Sequence, residues 1–265
     1  MKGKFVRLGF NAPRRLPAMI VLLTGMFRSG STWAFNVAKA LLSPEPQILV
    51  AGAYNNDVGA AMAALDENIQ HFLIKTHMPD RVGHMLIRHR VARTICTYCD
   101  PLDCIVSSME VFGSRFEDTV ALARGALALL ELQAKVGGVL FIDHDAIEAR
   151  PDETVGAIAC YLGCRVDAPD IRRIAGLFSK ANMARFADNL SRSGLAASGA
   201  WPRDPGTLLH PGHIRSCPGT PDQLLAPGQR RYALDQLAAF VDQDGCLAPG
   251  LRERLRPTDP GCAGP

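Results

Sequence analysis

Three short segments of this 265-residue chain hold side chains of the kind that bind phosphate or move a proton. The first runs Thr24-Gly25-Met26-Phe27-Arg28-Ser29-Gly30-Ser31-Thr32-Trp33. It brings a cation, a glycine that allows close approach and three hydroxyls to a helix start, where unpaired N–H groups and the helix dipole attract an anion. Arg28 can grip two phosphate oxygens at once, and Ser29, Ser31 and Thr32 add donors. The Gly-x4-Gly-Lys-[Ser/Thr] order of nucleotide-hydrolysing loops is missing. An ordinary turn with a solvated arginine is the plain alternative, and so many donors at one helix start argue against it. The second segment, Ile74-Lys75-Thr76-His77-Met78-Pro79, closes an apolar run that reads as the second strand. Period-two spacing puts Lys75 and His77 on one face. A histidine there suits a general base near neutral pH, and the lysine can neutralise a leaving phosphate. Histidines are more often structural, but open α/β sheets bind ligands at the carboxyl ends of their strands, which favours function here. The third segment is Cys99-Asp100-Pro101-Leu102-Asp103-Cys104-Ile105-Val106-Ser107-Ser108. Pro101 suits a first helical turn. Ser107, two turns in, can reach a phosphate, and a buried helix serine accounts for it equally well.

These segments need a scaffold that brings strand ends together. Apolar runs of strand length occur at 19–23, 71–75, 93–98 and 139–142. Helical patterns lie at 32–42, 56–65, 102–111, 119–135, 152–162, 169–175, 183–189 and 229–241. The alternation predicts a single α/β domain with a parallel sheet flanked by helices. It spans 18–245, after an N-terminal extension over 1–17 and before a Pro/Gly-rich tail over 246–265 expected to fray. Residues 191–228, rich in Gly, Pro and Ser, read as a flap or loop.

With 48% apolar and 21% charged residues the chain is expected to fold as a globular domain. A net charge of +3 gives no reason to expect a nucleic-acid partner, while allowing a local cationic pocket. The eight cysteines lack the dense spacing of a disulfide scaffold and read as reduced buried thiols; Cys96-x-x-Cys99 has no second pair to complete a zinc site. No apolar run approaches the ~20 residues that span a bilayer. A cytoplasmic protein is expected, with its oligomeric state left open.

In order and spacing, the three segments resemble the sulfotransferases that use 3′-phosphoadenosine 5′-phosphosulfate (PAPS), in particular the cytosolic branch. Arg28-Ser29-Gly30-Ser31-Thr32-Trp33 is similar to the family's 5′-phosphosulfate loop, usually Lys-Ser-Gly-Thr-Thr-Trp. Lys75-Thr76-His77 matches its Lys-Thr-His element, and Asp100 through Ser107 its 3′-phosphate segment. The resemblance covers roughly 18–230 in dispersed islands. It implies a P-loop, nucleotide-kinase-like fold and transfer of a sulfuryl group to a hydroxyl or amine of a small-molecule acceptor, without a metal. His77 is then the base, with Lys75 and Arg28 stabilising the leaving oxygen. Ser29, Gly30, Ser31 and Thr32 hold the 5′ side of the cofactor, with Trp33 near the adenine. His144, a further cofactor-binding position, stands where the family has a Tyr at a strand end, and Ser179 resembles its adenine-side element. Ser107, Cys99, Arg215 and Gly219 fall on the 3′ side. Cys99 stands where the family has an arginine; a thiol cannot replace a bidentate cation, so Arg215 is expected to carry most 3′-phosphate recognition. The acceptor is expected to line 50–57, 78–83, 112–116 and 191–206. A nucleotide-binding small-molecule kinase and a catalytically degenerate regulatory relative are the alternatives.

Overall fold

β1 (Met19–Gly25) is buried on both faces, as expected of a central strand of a parallel sheet. Val21 and Leu23 point into one apolar layer and Leu22 into another, so the period-two alternation of the strand feeds both sides. The computed structural model describes residues 18–43, 48–66, 68–192, 203–210, 214 and 219–256. After β1 come α1 (Ser31–Leu42), β2 (Val50–Tyr54), α2 (Val58–Ala63), β3 (His71–Lys75) and α3 (Arg81–Arg88). Then follow β4 (Arg93–Tyr98), α4 (Pro101–Phe112), α5 (Phe116–Val136), β5 (Val139–Asp143) and α6 (His144–Ala149). The chain continues through α7 (Pro151–Leu162), α8 (Ala168–Leu177), α9 (Lys180–Arg192), α10 (Pro221–Leu224), α11 (Pro227–Leu237) and α12 (Pro249–Leu255).

The five strands form one parallel sheet in the order β2-β3-β1-β4-β5. The connection leaving β1 goes to one side and that leaving β4 to the other. A crevice therefore opens beyond their carboxyl ends, the usual ligand position in such sheets. α1, α7 and α8 cover one face, and α4, α5, α11 and α12 pack over the other. The long α5 presents Phe116, Val120, Ala123, Leu127 and Leu130 as a buried stripe at helical spacing. A buried hydrogen-bonded pair, Thr24 Oγ1 with Gln133, ties β1 to this helix.

The strand reading from sequence lacks β2, and Lys75 closes the third strand. The stretch 78–83 leads into α3 instead of lining the crevice, with Asp80 capping the helix through Gly83 N. α2 starts later than expected, after its cap Asp57. The tail begins as structure: Leu247, Leu251 and Leu255 are buried in the core layer shared with α5, so the folded unit extends past 245. Part of the 191–228 stretch is likewise packed, since Lys39 Nζ donates to Gly206 O and Asn36 Nδ2 to Thr207 O. Cys96, Cys99, Cys104, Cys164 and Cys246 are free thiols, whereas Cys160 is disulfide-bonded, contrary to the expectation of reduced thiols throughout.

Candidate active site

The turn between β1 and α1 is built from two backbone positions in the left-handed region, Arg28 (φ 64°) and Gly30 (φ 90°). For an arginine this is an uncommon conformation and a sign of local constraint. Its cause is close packing. Gly25 leaves β1 at φ 132°, and a Cβ there would lie 2.2 Å from Thr97 O. Met26 N then donates to that same carbonyl, and Ser29 Oγ bonds Met26 O and Thr97 Oγ1, each at 2.7 Å. Ser29 is fully buried by these bonds and does not face the crevice, so its expected role as a direct ligand gives way to one of holding the turn. Gly30 is the N-cap of α1, and a Cβ on it would meet Ile147 Cδ1 at 2.6 Å. The first N–H groups of α1 thus open toward the crevice beside Ser31 and Thr32, a geometry suited to an anion.

Lys75 and His77 arrive from β3. Lys75 Nζ donates to Thr32 Oγ1, linking the end of β3 to the first turn of α1. The His77 Nδ1–H donates to Gly25 O at 2.9 Å. A carbonyl can only accept, so the proton sits on Nδ1 and Nε2 carries the free lone pair. The His77 ring packs against Phe27 and Tyr54, with centroids 4.5 and 5.9 Å away. Its backbone is held by Asn56, whose Oδ1 accepts from Thr76 Oγ1, His77 N and Met78 N. Burial, then the charge of Lys75 and those of Arg203 and Arg28, bring the His77 pKa down to about 3 despite the bond to Gly25. Burial, followed by Arg203 and Arg28, lowers Lys75 to about 7. This corner is a neutral imidazole among cations.

Arg28 reaches sideways from the turn to α4, where its Nε donates to Ser107 Oγ at 3.0 Å and its guanidinium lies 5.7 Å from the Phe112 ring. The first and third sequence segments therefore meet through these two residues. Beside Ser107 the environment changes sign. Cys99 is held as a neutral thiol, its pKa raised chiefly by a hydrogen bond with Cys104, then by burial and nearby Asp103 and Asp100. Asp100 is itself raised by burial and by Asp103. Arg252 of α12 brings a guanidinium to this side, 3.9 Å from Asp100 Oδ1.

One cavity of about 1180 Å³ joins these groups. Arg28, Gly30, Ser31, Thr32, Trp33, Lys75, His77, Cys99, Ser107, His144, Ser179 and Gly219 all line it. Arg215 lies outside the described residues. The wall also contains Phe27, Tyr54, Arg203, His210 and Arg252, which sequence reading did not single out. Asn56 was missed as well, although the Asn55-Asn56-Asp57 cluster after an apolar run carries a turn signal. Of the four stretches expected to receive the acceptor, 50–57 contributes Tyr54, 112–116 contributes Phe112 and Ser114, and 191–206 contributes Arg203. Among the described residues no group of three His, Cys, Asp or Glu side chains is placed to hold a metal ion, and no helix is long and apolar enough to cross a membrane.

No protein-family model matches the sequence, and no curated protein matches it. Solved structures do. A retinol dehydratase in complex with androsterone and the inactive cofactor PAP superposes with a TM-score of 0.59 at 14% identity, covering 89% of this chain and 84% of its own. A second retinol dehydratase structure, with retinol and PAP, gives 0.54 at 12% identity over 92% and 83%. The mouse sulfotransferase SULT7A1 complexed with PAP gives 0.59 at 16% identity over 91% and 86%. This chain has the sulfotransferase fold.

Proposed function

We propose that this protein is a sulfotransferase that moves a sulfuryl group from PAPS to a hydroxyl or amine of a small molecule. The observation that carries the reading is the joint between β3 and the β1–α1 turn. There the only open nitrogen of His77 stands beside a lysine bonded to the helix-start threonine, in one cavity with Ser107. A binding protein needs no such base. The PAP in the similar structures is the desulfated form of the proposed donor, and their 12–16% identities leave the activity of this chain to experiment.

In the proposed reaction the donor's 5′-phosphosulfate lies against the N–H groups of Ser31 and Thr32, with its adenosine toward Trp33, His144 and Ser179. The acceptor oxygen attacks sulfur in line. Its new S–O bond forms as the bond from sulfur to the bridging oxygen of the 5′-phosphate breaks, and the hydroxyl proton passes to His77 Nε2. The negative charge left on the bridging oxygen is met by Lys75 and Arg28. Catalysis is then mostly positioning and charge stabilisation. A histidine held near 3 is a weak base; burial is the largest cause, and the donor's anionic groups would offset the cationic part, so donor binding raises its basicity. Arg28 stands between the two phosphate positions and can exchange the Ser107 hydroxyl for a donor oxygen. Cys99 supplies no charge, so 3′-phosphate recognition falls to Ser107, Arg28 and the Arg215 of the sequence reading.

Thermal-shift titration with adenosine 3′,5′-bisphosphate, AMP, and ATP with Mg²⁺ tests the reading. Selective stabilisation by the bisphosphate is expected; preference for ATP with Mg²⁺ would point to a kinase, and equal response to AMP would remove the 3′-phosphate subsite.

A further inference from the structure

The strand order divides the cavity. Cys99, Ser107 and His144 lie beyond β4 and β5 on one side of the β1 turn, while Tyr54 ends the edge strand β2 on the other, paired in register with Lys75. Arg203 sits on that second side. Its guanidinium carbon is 4.0 Å from the centroid of the Tyr54 ring, a cation–π stack, and Lys75 Nζ is 5.8 Å from the same ring. The electrostatic influence of Arg203 on both Lys75 and His77 places its charge near the reacting corner.

Arg203 is also held in position. Asp204 Oδ2 accepts from Thr207 N and Oγ1, and Asn36 and Lys39 of α1 bond the carbonyls of Thr207 and Gly206. Its neighbour Asp204 is thus occupied with the turn. Among the described residues no carboxylate forms an ion pair with Arg203. A half-buried guanidinium facing two other cations is repelled by them, and an anion beside it relieves that repulsion. The proposed donor, on the β1–β4–β5 side, supplies anionic groups to Arg28 and Lys75, whereas Arg203 stacks on Tyr54 at the β2 side of Lys75. The Tyr54 ring beneath Arg203 and the Phe27 ring packed on His77 provide flat apolar walls on this side.

We propose that Arg203, stacked on Tyr54, is an anion subsite for the acceptor, and that the acceptor class is an aromatic hydroxy compound bearing a carboxylate. The inference rests on the sulfotransferase reading and narrows it: the acceptor oxygen faces His77 while the carboxylate pairs with Arg203.

The test uses the full chain saturated with adenosine 3′,5′-bisphosphate, titrated by calorimetry with 3- and 4-hydroxybenzoate and their neutral amides. The hydroxybenzoates should bind at least about tenfold tighter than the amides, as a charge-assisted contact gives. Arg203→Met should abolish that preference, Arg203→Lys should keep part of it, and bisphosphate affinity should hold in both. Equal binding of acid and amide, or no binding of the acids, overturns the subsite. Loss of bisphosphate affinity in Arg203→Met overturns it too, by moving the residue to the donor side. If the bisphosphate fails to bind the unaltered protein, the donor reading falls instead, and the acid–amide comparison on the protein alone still decides the subsite.

Discussion

The carbonyl of Gly25 accepts a hydrogen bond from His77 Nδ1–H and so leaves Nε2 as the proton acceptor, while Lys75 Nζ donates to Thr32 Oγ1 beside that ring. Both pKa values are lowered for one reason, burial among cations, which disfavours another positive charge. His77, lowered to about 3, stays neutral and able to accept a proton down to acid pH. Lys75, lowered to about 7, is charged below that pH and loses its charge above it. If the leaving oxygen is met by the charged lysine as proposed, kcat/KM, which reports the free enzyme, should fall as pH rises through about 7, with no acid limb from His77 near 6.5. Lys75→Arg should extend the plateau to higher pH, since a guanidinium does not deprotonate there. A flat kcat/KM profile for the unaltered protein between pH 6 and 9 would contradict this assignment. That these residues share one cavity was largely legible in sequence, because cations, hydroxyls and a histidine at such spacing stand out. The carbonyl partner that fixes the tautomer was not, since a backbone oxygen brought in from another strand leaves no mark on the local pattern.

At the scale of elements, the β1–α1 turn depends on Gly25 meeting β4 at close range. Gly25→Ala places a methyl 2.2 Å from Thr97 O and forces φ 132° on a residue that disfavours it. The expected cost is at least about 2 kcal/mol of stability in urea unfolding, because backbone on both sides must shift. An unchanged midpoint would show that the turn is not built as described. The strands and helices with branched apolar runs or wide stripes were readable from sequence. β2 was not, because Ala51, Gly52 and Ala53 give it little apolar weight, and its place at the sheet edge is set by pairing with β3. α3 did carry a start signal in Asp80, masked by the adjacent Pro79 and by polar residues on its exposed face. Arg203 had no signal of its own beyond lying in the 191–206 stretch expected to receive the acceptor. Its importance comes from a chain segment folded back onto α1.

Across the whole molecule, the sheet gathers segments far apart in sequence into one cavity whose two ends differ in charge. Arg28, Lys75 and Arg203 surround His77, and Asp100, Asp103, Asp143 and Asp145 line the far side with Arg252. The chain after 245 belongs to this architecture: α12 buries Leu251 and Leu255 beside α5 and carries Arg252 to the cavity wall. Its Pro/Gly-rich surroundings hid two leucines four residues apart. Leu255→Ala should therefore lower stability by about 2–5 kcal/mol in denaturant unfolding, as for other buried leucines; a change below about 0.5 kcal/mol, typical of surface positions, would return this segment to the status of a tail. The central claim, that the cavity transfers a sulfuryl group with His77 as base, is tested most directly by following ³⁵S from labelled PAPS into a panel of phenols, alcohols and hydroxybenzoates. The account predicts labelled product together with stoichiometric adenosine 3′,5′-bisphosphate, and a rate lowered by about 10²–10⁴-fold in His77→Ala with donor affinity retained. No transfer to any member of the panel, or equal rates with and without His77, would contradict it.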